Sequence, residues 1–289
     1  MIELLQSSSN TFNVIAGILG LMVGSFLNVV IHRLPLMMEC EWRSQCAMLL
    51  DHPLPRELPE TFNLITPRSR CPNCANRISI LENIPIFSYI ILRGRCRCCS
   101  VPISFRYPLI EIASSAAAVV VAVHFGFSVA ALSAVLLSWG LISLCGIDIE
   151  TQLLPDTIVM PMLWAGIVVN YFNVFVSLEE AILGAVFGYL SLWTVFWVFK
   201  LTTGKDGMGY GDFKLLALLG AWLGWKILPI VIVLSSVVGA GVGIGLILFL
   251  SHDKSKPIPF GPYLAVAGWI ALLWGDEITA QYLYSVGQR

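Results

Sequence analysis

Two aspartates and four cysteines are the residues of this sequence whose types and spacing could do chemistry. Asp212 stands in "GMGYGDFKLLALLGAWLGW" (Gly207–Trp225), behind glycines at 207, 209 and 211 and directly before an apolar run. Asp148 stands in "GIDIETQLLPDT" (Gly146–Thr157), with Glu150 and Asp156 close behind, at the end of another apolar run. Acids at the edge of a membrane interior are costly and mark function. The glycines predict a backbone that lets an extended peptide approach the carboxylate. Two carboxylates that meet cannot both ionise cheaply, so they share a proton. The ionised one can then activate water while the protonated one donates to an amide carbonyl, which is aspartic peptidase chemistry. On spacing alone the pair equally suits proton or ion translocation. The other acids have simpler readings. Asp156, after Pro155, is expected to cap a helix N-terminus. Glu150 and Asp206 are expected to be solvated, and Lys214 to reach lipid phosphates.

The cysteines form two hooks, Cys71-x-x-Cys74 and Cys96-x-x-Cys99, separated by 21 residues. This pattern predicts one tetrahedral Zn²⁺ held by four thiolates, a staple for a segment too small for much of a core. A pair of disulfides competes, but a reducing cytoplasmic face disfavours it. Arg70, Arg77, Arg93, Arg95 and Arg97 crowd the hooks, where they would favour deprotonated thiols or meet anionic lipid. Cys98 is an alternative ligand in the second hook, although Cys96/Cys99 repeats the first hook's spacing. Cys40 and Cys46 read as free thiols and Cys145 as a packing residue.

The elements that must position these groups are membrane helices. The 289 residues are 57% hydrophobic and 12% charged, about half the charge of a soluble domain. Eight apolar stretches are long enough to propose as spans: 12–32, 108–124, 128–146, 158–173, 181–200, 213–226, 229–250 and 262–275, the sixth being short for the purpose. The first is too long and too weakly flanked by positive charge for a cleaved signal peptide. With eight spans, 15 of the 17 lysines and arginines fall on one side, which is therefore cytoplasmic, and both termini face out. The expectation is an all-α polytopic membrane protein in three parts. These are a first helix (1–32), a cytoplasmic four-cysteine zinc domain (33–107) between the first two helices, and a seven-helix membrane domain (108–289). The few aromatics of the zinc segment and its tethering at both ends argue against a nucleic-acid-binding ribbon. The four histidines, His32, His52, His124 and His252, are scattered, and no His-Glu-x-x-His motif exists, which argues against a metallopeptidase. A transporter would place acids at mid-membrane with repeated broken helices; these acids lie at span ends. A scaffold whose zinc module binds partners is a third reading.

Six blocks in order, "GSFLNVVIHRLP" (Gly24–Pro35), the paired hooks, "RYPLIE" (Arg106–Glu111), "IDIETQLLPD" (Ile147–Asp156), "GMGYGDFK" (Gly207–Lys214) and "PIPFGPYLA" (Pro257–Ala265), resemble bacterial type IV prepilin peptidases. The resemblance implies an inner-membrane aspartic peptidase of the Gly-x-Gly-Asp type. It would cut the basic leader of prepilins or type II secretion pseudopilins after glycine, usually before phenylalanine, on the cytoplasmic side. It would then methylate the new α-amine with S-adenosylmethionine. By resemblance Asp148 and Asp212 are catalytic and Cys71, Cys74, Cys96 and Cys99 bind zinc. The sequence contains no nucleotide-binding βαβ unit, and "GAGVGIG" (Gly239–Gly245) reads as helix packing. No methyl-donor site is therefore assigned; Asn28, His32 and Glu111 are candidates that read equally as packing residues. Acids such as Glu150 or Asp156 are expected to meet the basic leader.

Overall fold

The structure, a computed structural model, describes residues 9–50, 62–71, 73–79, 84–250 and 259–287. It is helical throughout, with only isolated backbone bridges at Arg70–Arg77 and Arg95–Pro102 among the described residues. Each of the eight apolar stretches falls on a helix. Among the described residues, five helices are both long and apolar enough to cross a membrane: Asn10–Leu49, Arg106–Phe125, Val129–Thr151, Leu178–Thr203 and Leu228–Gly245. The chain forms two compact units, Met1–Phe127 and Ser128–Arg289.

The first unit contains α1 (Ser9–Leu49), the short α2 (Phe87–Ile91) and α3 (Arg106–Phe125). α1 does not stop where its apolar run ends near residue 32. It continues through Pro35 for 41 residues in all, about 60 Å at 1.5 Å per residue. Its outer part is rich in good helix formers and carries an i,i+4 pair, Glu39–Arg43 at 2.7 Å. α1 and α3 pack through small residues, and their hydroxyls close the seam: Ser114 Oγ donates to Gly20 O (2.7 Å) and Ser115 Oγ to Gly17 O (2.9 Å). Beyond the seam, the buried Arg33 gathers the returning loop, donating to Asn63 O at 2.8 Å and Pro67 O at 2.6 Å.

The second unit contains α4 (Val129–Thr151), α5 (Asp156–Tyr171), α6 (Leu178–Thr203), α7 (Tyr210–Leu223), α8 (Leu228–Leu250) and α9 (Gly261–Gly287). Ser128 and Ser177 cap α4 and α6, accepting from Ala131 N and Glu180 N. α9 contains a break at Trp274, near which Trp269 donates to Ser138 Oγ of α4 at 2.9 Å. α7 is the core of this unit: Asp212, Phe213 and every residue from Leu215 to Trp222 are buried. Its 14 residues reach only about 21 Å, less than a bilayer core, so its backbone relies on neighbours on every side. α6 comes so close that a Cβ on either Gly184 or Gly220 would overlap the other's carbonyl. At the far end, the fully buried Asn170 of α5 donates to Ala221 O and Trp222 O (2.9 Å each) and accepts from Phe175 N and Val176 N. In α8, Gly239 packs against Tyr263, whereas Gly241 and Gly245 face open space.

Candidate active site and metal centre

The two cysteine hooks are built alike. In the first, Cys71 N donates to Asn76 O and Ala75 N to Cys71 O; in the second, Cys96 N donates to Val101 O and Ser100 N to Cys96 O, all at 2.9 Å. Ala75 (φ 55°) and Ser100 (φ 57°) take the same left-handed turn, which curls each loop under its own sulfurs. The hooks face one another, with Cys71 Sγ 3.7 Å from Cys99 Sγ and Cys74 Sγ 4.0 Å from Cys96 Sγ. All four sulfurs lie within 4.8 Å of one another. A tetrahedral ion with Zn–S bonds of about 2.3 Å needs sulfurs about 3.8 Å apart, whereas a disulfide needs about 2.05 Å. The donor set therefore fits one zinc ion and not two disulfides. The Val101 N–H lowers the Cys99 pKa to about 6. Cys74 moves the other way, to about 12: burial and the neighbouring thiols outweigh the Asn76 N–H, which alone would lower it. Four thiols so close resist joint ionisation until a cation compensates them. Cys98 is exposed and lies outside the cluster. Arg93, Arg95 and Arg97, with Leu92, Cys96 and Ser100, ring an open basin of about 550 Å³.

The acids come from opposite helix ends. Asp148 occupies the last turns of α4, where the Gln152 N–H closes the helix on Asp148 O at 2.9 Å with Gln152 left-handed (φ 56°). Asp212 lies within the first turn of α7 rather than ahead of it, and its N–H donates to Gly209 O (3.3 Å). Both are buried, at 5% and 6% exposure. Leu154 joins them: a Cβ on Gly211 would stand 2.7 Å from Leu154 Cβ, and one on Gly261 would stand 3.4 Å from Leu154 Cδ1 and 2.6 Å from Asp148 Oδ2. The α4–α5 turn, the start of α7 and the start of α9 thus converge on the carboxylates. Asp148 Oδ2 is buried without a well-formed hydrogen bond, although the Gly261 N–H lies close to the same carboxyl, and it can take up a proton, water or substrate. Asp212 is buried at the start of α7, and two buried carboxylates converging in this way resist joint ionisation, the condition for sharing a proton in general acid–base work.

Several expectations about the surroundings change. Asp156 is not the cap of α5; Pro155 holds that position, and Asp156 in the first turn pairs with Lys214 at 2.7 Å. Lys214 is thereby directed to a carboxylate instead of lipid. Asp206 pairs with Lys200 at 2.8 Å, and Glu150 lies in the last turn of α4. The glycines of the loop do not all clear space. A Cβ on Gly207 would strike the Phe199 ring at 2.7 Å, and Gly211 is pressed on Leu154; only Gly209 opens toward the carboxylate, its nearest atom being Asp212 Oδ2 at 3.7 Å. Gly261 was visible only as part of a motif, and nothing local in the sequence ties it to Asp148. Of the methyl-donor candidates, Asn28 donates to Gly24 O and Tyr107 O, and Glu111 accepts from Ile86 N at 2.8 Å. Both bind backbone within the first unit. Cys145 approaches Pro262 O at 3.9 Å, a helix-packing contact.

Comparison with known proteins covers nearly the whole chain. Residues 18–125 match the Bacterial Peptidase A24 N-terminal domain, and residues 135–244 match the Type IV leader peptidase family. The chain is 56% identical over 283 residues to a prepilin leader peptidase/N-methyltransferase of Stutzerimonas stutzeri, covering 98% of this chain and 97% of that protein. It is 53% identical to the protein of that name from Pseudomonas aeruginosa over 99% of both chains. Identity to the one from Dichelobacter nodosus is 47% over 98% of both. No solved structure matches.

Proposed function

The chain belongs to the type IV leader peptidase family, and from that premise we propose that Asp148 and Asp212 are the pair with which it cleaves the leader of prepilins or pseudopilins. It is a peptidase and N-methyltransferase of that family. The observation that carries the catalytic assignment is the convergence of two buried carboxylates on Leu154 and Gly261, one of them with an oxygen that lacks a well-formed hydrogen bond. In the proposed reaction, the ionised carboxylate removes a proton from water and the resulting hydroxide attacks the scissile carbonyl carbon. The protonated carboxylate delivers its proton to the carbonyl oxygen. Collapse of the tetrahedral adduct breaks the C–N bond: the leaving amine takes the proton gained from water, and an adduct hydroxyl returns its proton to the carboxylate that had donated one. Gly209, whose Cβ position is open toward Asp212, is where an extended substrate backbone would pass. Asp156 is paired with Lys214, and a basic leader would have to compete with that lysine to reach it. The transporter reading finds no support among the relatives.

The finer topology belongs to the same proposal. α5, α7 and α9 complete eight crossings, α7 being tolerated at 14 residues because its neighbours bury it. The basic loops then face the cytoplasm of the inner membrane, with the active site on that face. Functionally the chain divides into a first helix (1–32), a zinc domain (33–107) and a membrane peptidase region (108–289). Cys71, Cys74, Cys96 and Cys99 would hold Zn²⁺ as a structural staple. S-adenosylmethionine would supply the methyl group for the new α-amine; Asn28 and Glu111 each bond backbone, and no residue is assigned to the donor.

The test is cleavage of a prepilin in detergent by wild type, Asp148→Asn and Asp212→Asn, with zinc content as the check on folding. Loss of cleavage in both variants with zinc retained is the expected result. Normal cleavage by either variant would remove that aspartate from the mechanism and turn attention to Glu150.

A further inference from the structure

Between the two cysteine hooks, α2 exposes Phe87 (63%), Ile90 (65%) and Ile91 (76%), which at i, i+3 and i+4 share one face of the helix. A five-residue helix cannot sustain itself, so other contacts must hold it in this presentation. The buried Glu111 of α3 accepts the N–H of Ile86 at 2.8 Å, fixing that residue at φ 60°, a conformation β-branched residues rarely adopt. Tyr89 packs edge-on against Phe105, with ring centroids 6.5 Å apart. Gly94 (φ 66°) turns the chain so tightly that a Cβ there would stand 2.9 Å from Tyr89 Oη. Strain and a buried acid are thus spent on holding apolar side chains outward.

Depth and charge identify what they face. α3 has 20 residues, about 30 Å, the thickness of the hydrocarbon core. Its start at Arg106 therefore lies at the headgroup boundary, and Glu111 lies about 7.5 Å further along the helix. Through Glu111, α2 is held at the level where chains meet headgroups. From Phe62 to Phe105 the chain carries six arginines and a single acid, Glu82, and the exposed Arg93, Arg95 and Arg97 follow directly after the apolar face. We propose that α2 and this arginine rim dock onto the host bilayer, with Phe87, Ile90 and Ile91 in the headgroup–acyl boundary and Arg93, Arg95 and Arg97 on lipid phosphates. Apolar insertion beside basic residues is the pattern of an interfacial anchor, here placed between two membrane helices.

The test uses the full chain in nanodiscs containing phosphatidylglycerol. Ile91→Trp and, separately, Ile90→Trp add an emission that is read as the difference from wild type, with zinc content confirming the fold. The added emission is expected to be blue-shifted and to be quenched more by lipids brominated near the carbonyl than by lipids brominated at mid-chain. Adding R93Q/R95Q/R97Q is expected to reduce quenching in anionic discs to its level in phosphatidylcholine discs, each arginine being worth about fivefold, ~1 kcal/mol. Water-like, unquenched emission from both positions with zinc retained overturns the proposal. So does shielding that appears only when a prepilin is added, which would make the face a protein-docking surface. Quenching unchanged by the arginine substitutions overturns the phosphate contact.

Discussion

Gly261 is the sharpest place to test whether the geometry around Asp148 governs catalysis. A methyl group there would stand 2.6 Å from Asp148 Oδ2, while ordinary contact begins at 3.4 Å. In Gly261→Ala the carboxylate or the start of α9 must therefore retreat by about 0.8 Å. Leu154 Cδ1, at 3.4 Å from the same position, is in ordinary contact, so the clash to be relieved is the one with the acid. Misplacing a reacting group by about 1 Å costs on the order of 10²-fold in rate, or about 2.7 kcal/mol of activation free energy. The variant is expected to cleave prepilin with kcat reduced about 100-fold and KM within a few-fold, because the substrate's remote contacts are untouched. Gly245→Ala, whose added methyl meets nothing within 4 Å, is the control and is expected to match wild type. Steady-state cleavage of a purified prepilin, with zinc content and melting temperature measured on each preparation, decides the matter. Wild-type kcat from a folded Gly261→Ala protein would refute the argument that α9 confines Asp148.

Three further outcomes follow from the same structure. A proton shared between Asp148 and Asp212 requires that one acid be ionised and the other protonated, so both more acidic and more alkaline conditions remove the active form. Wild-type kcat/KM is expected to trace a bell against pH, falling about tenfold per unit on each limb; a profile that is flat on either side would refute the shared proton. Cys71→Ser or Cys99→Ser is expected to lose zinc, expose the hook segment to limited proteolysis and weaken both cleavage and methylation. Cys98→Ser should retain one zinc per chain, measurable by elemental analysis. Asn170→Ala strands two buried carbonyls and two N–H groups; it is expected to destabilise the second unit by about 3 kcal/mol, read as a lowered melting temperature in detergent.

Much of the architecture was legible because membrane burial imposes length and polarity on each segment. The eight apolar stretches could be placed on helices from hydropathy alone, and the hook spacing implied a four-sulfur cluster that the geometry supports. The continuation of α1 to Leu49 was not legible, since residues 33–49 mix polarity and are helical through propensity and an exposed ion pair. Asp156 was misplaced by one residue, because Pro155 meets the geometry of the cap position and leaves Asp156 free to pair with Lys214. The separate duties of Gly207, Gly209 and Gly211 also escaped the sequence. A glycine left out to make room for a neighbour looks the same in one dimension as a glycine left out for substrate, and only Phe199 and Leu154, distant in sequence, tell them apart.

The contact between Gly184 and Gly220 bears on how this protein tolerates change. Asp212 lies eight residues from Gly220 on α7, about 12 Å along the axis. With two backbones in direct contact there, α7 has no freedom to slide or turn against α6. Any side chain at either glycine would lever the helices apart and carry the aspartate with them. Two residues without side chains, touching neither substrate nor metal, thus act as the index mark that sets an acid's position. Substitutions at this remote crossing should register in the chemistry as if they had been made in the active site.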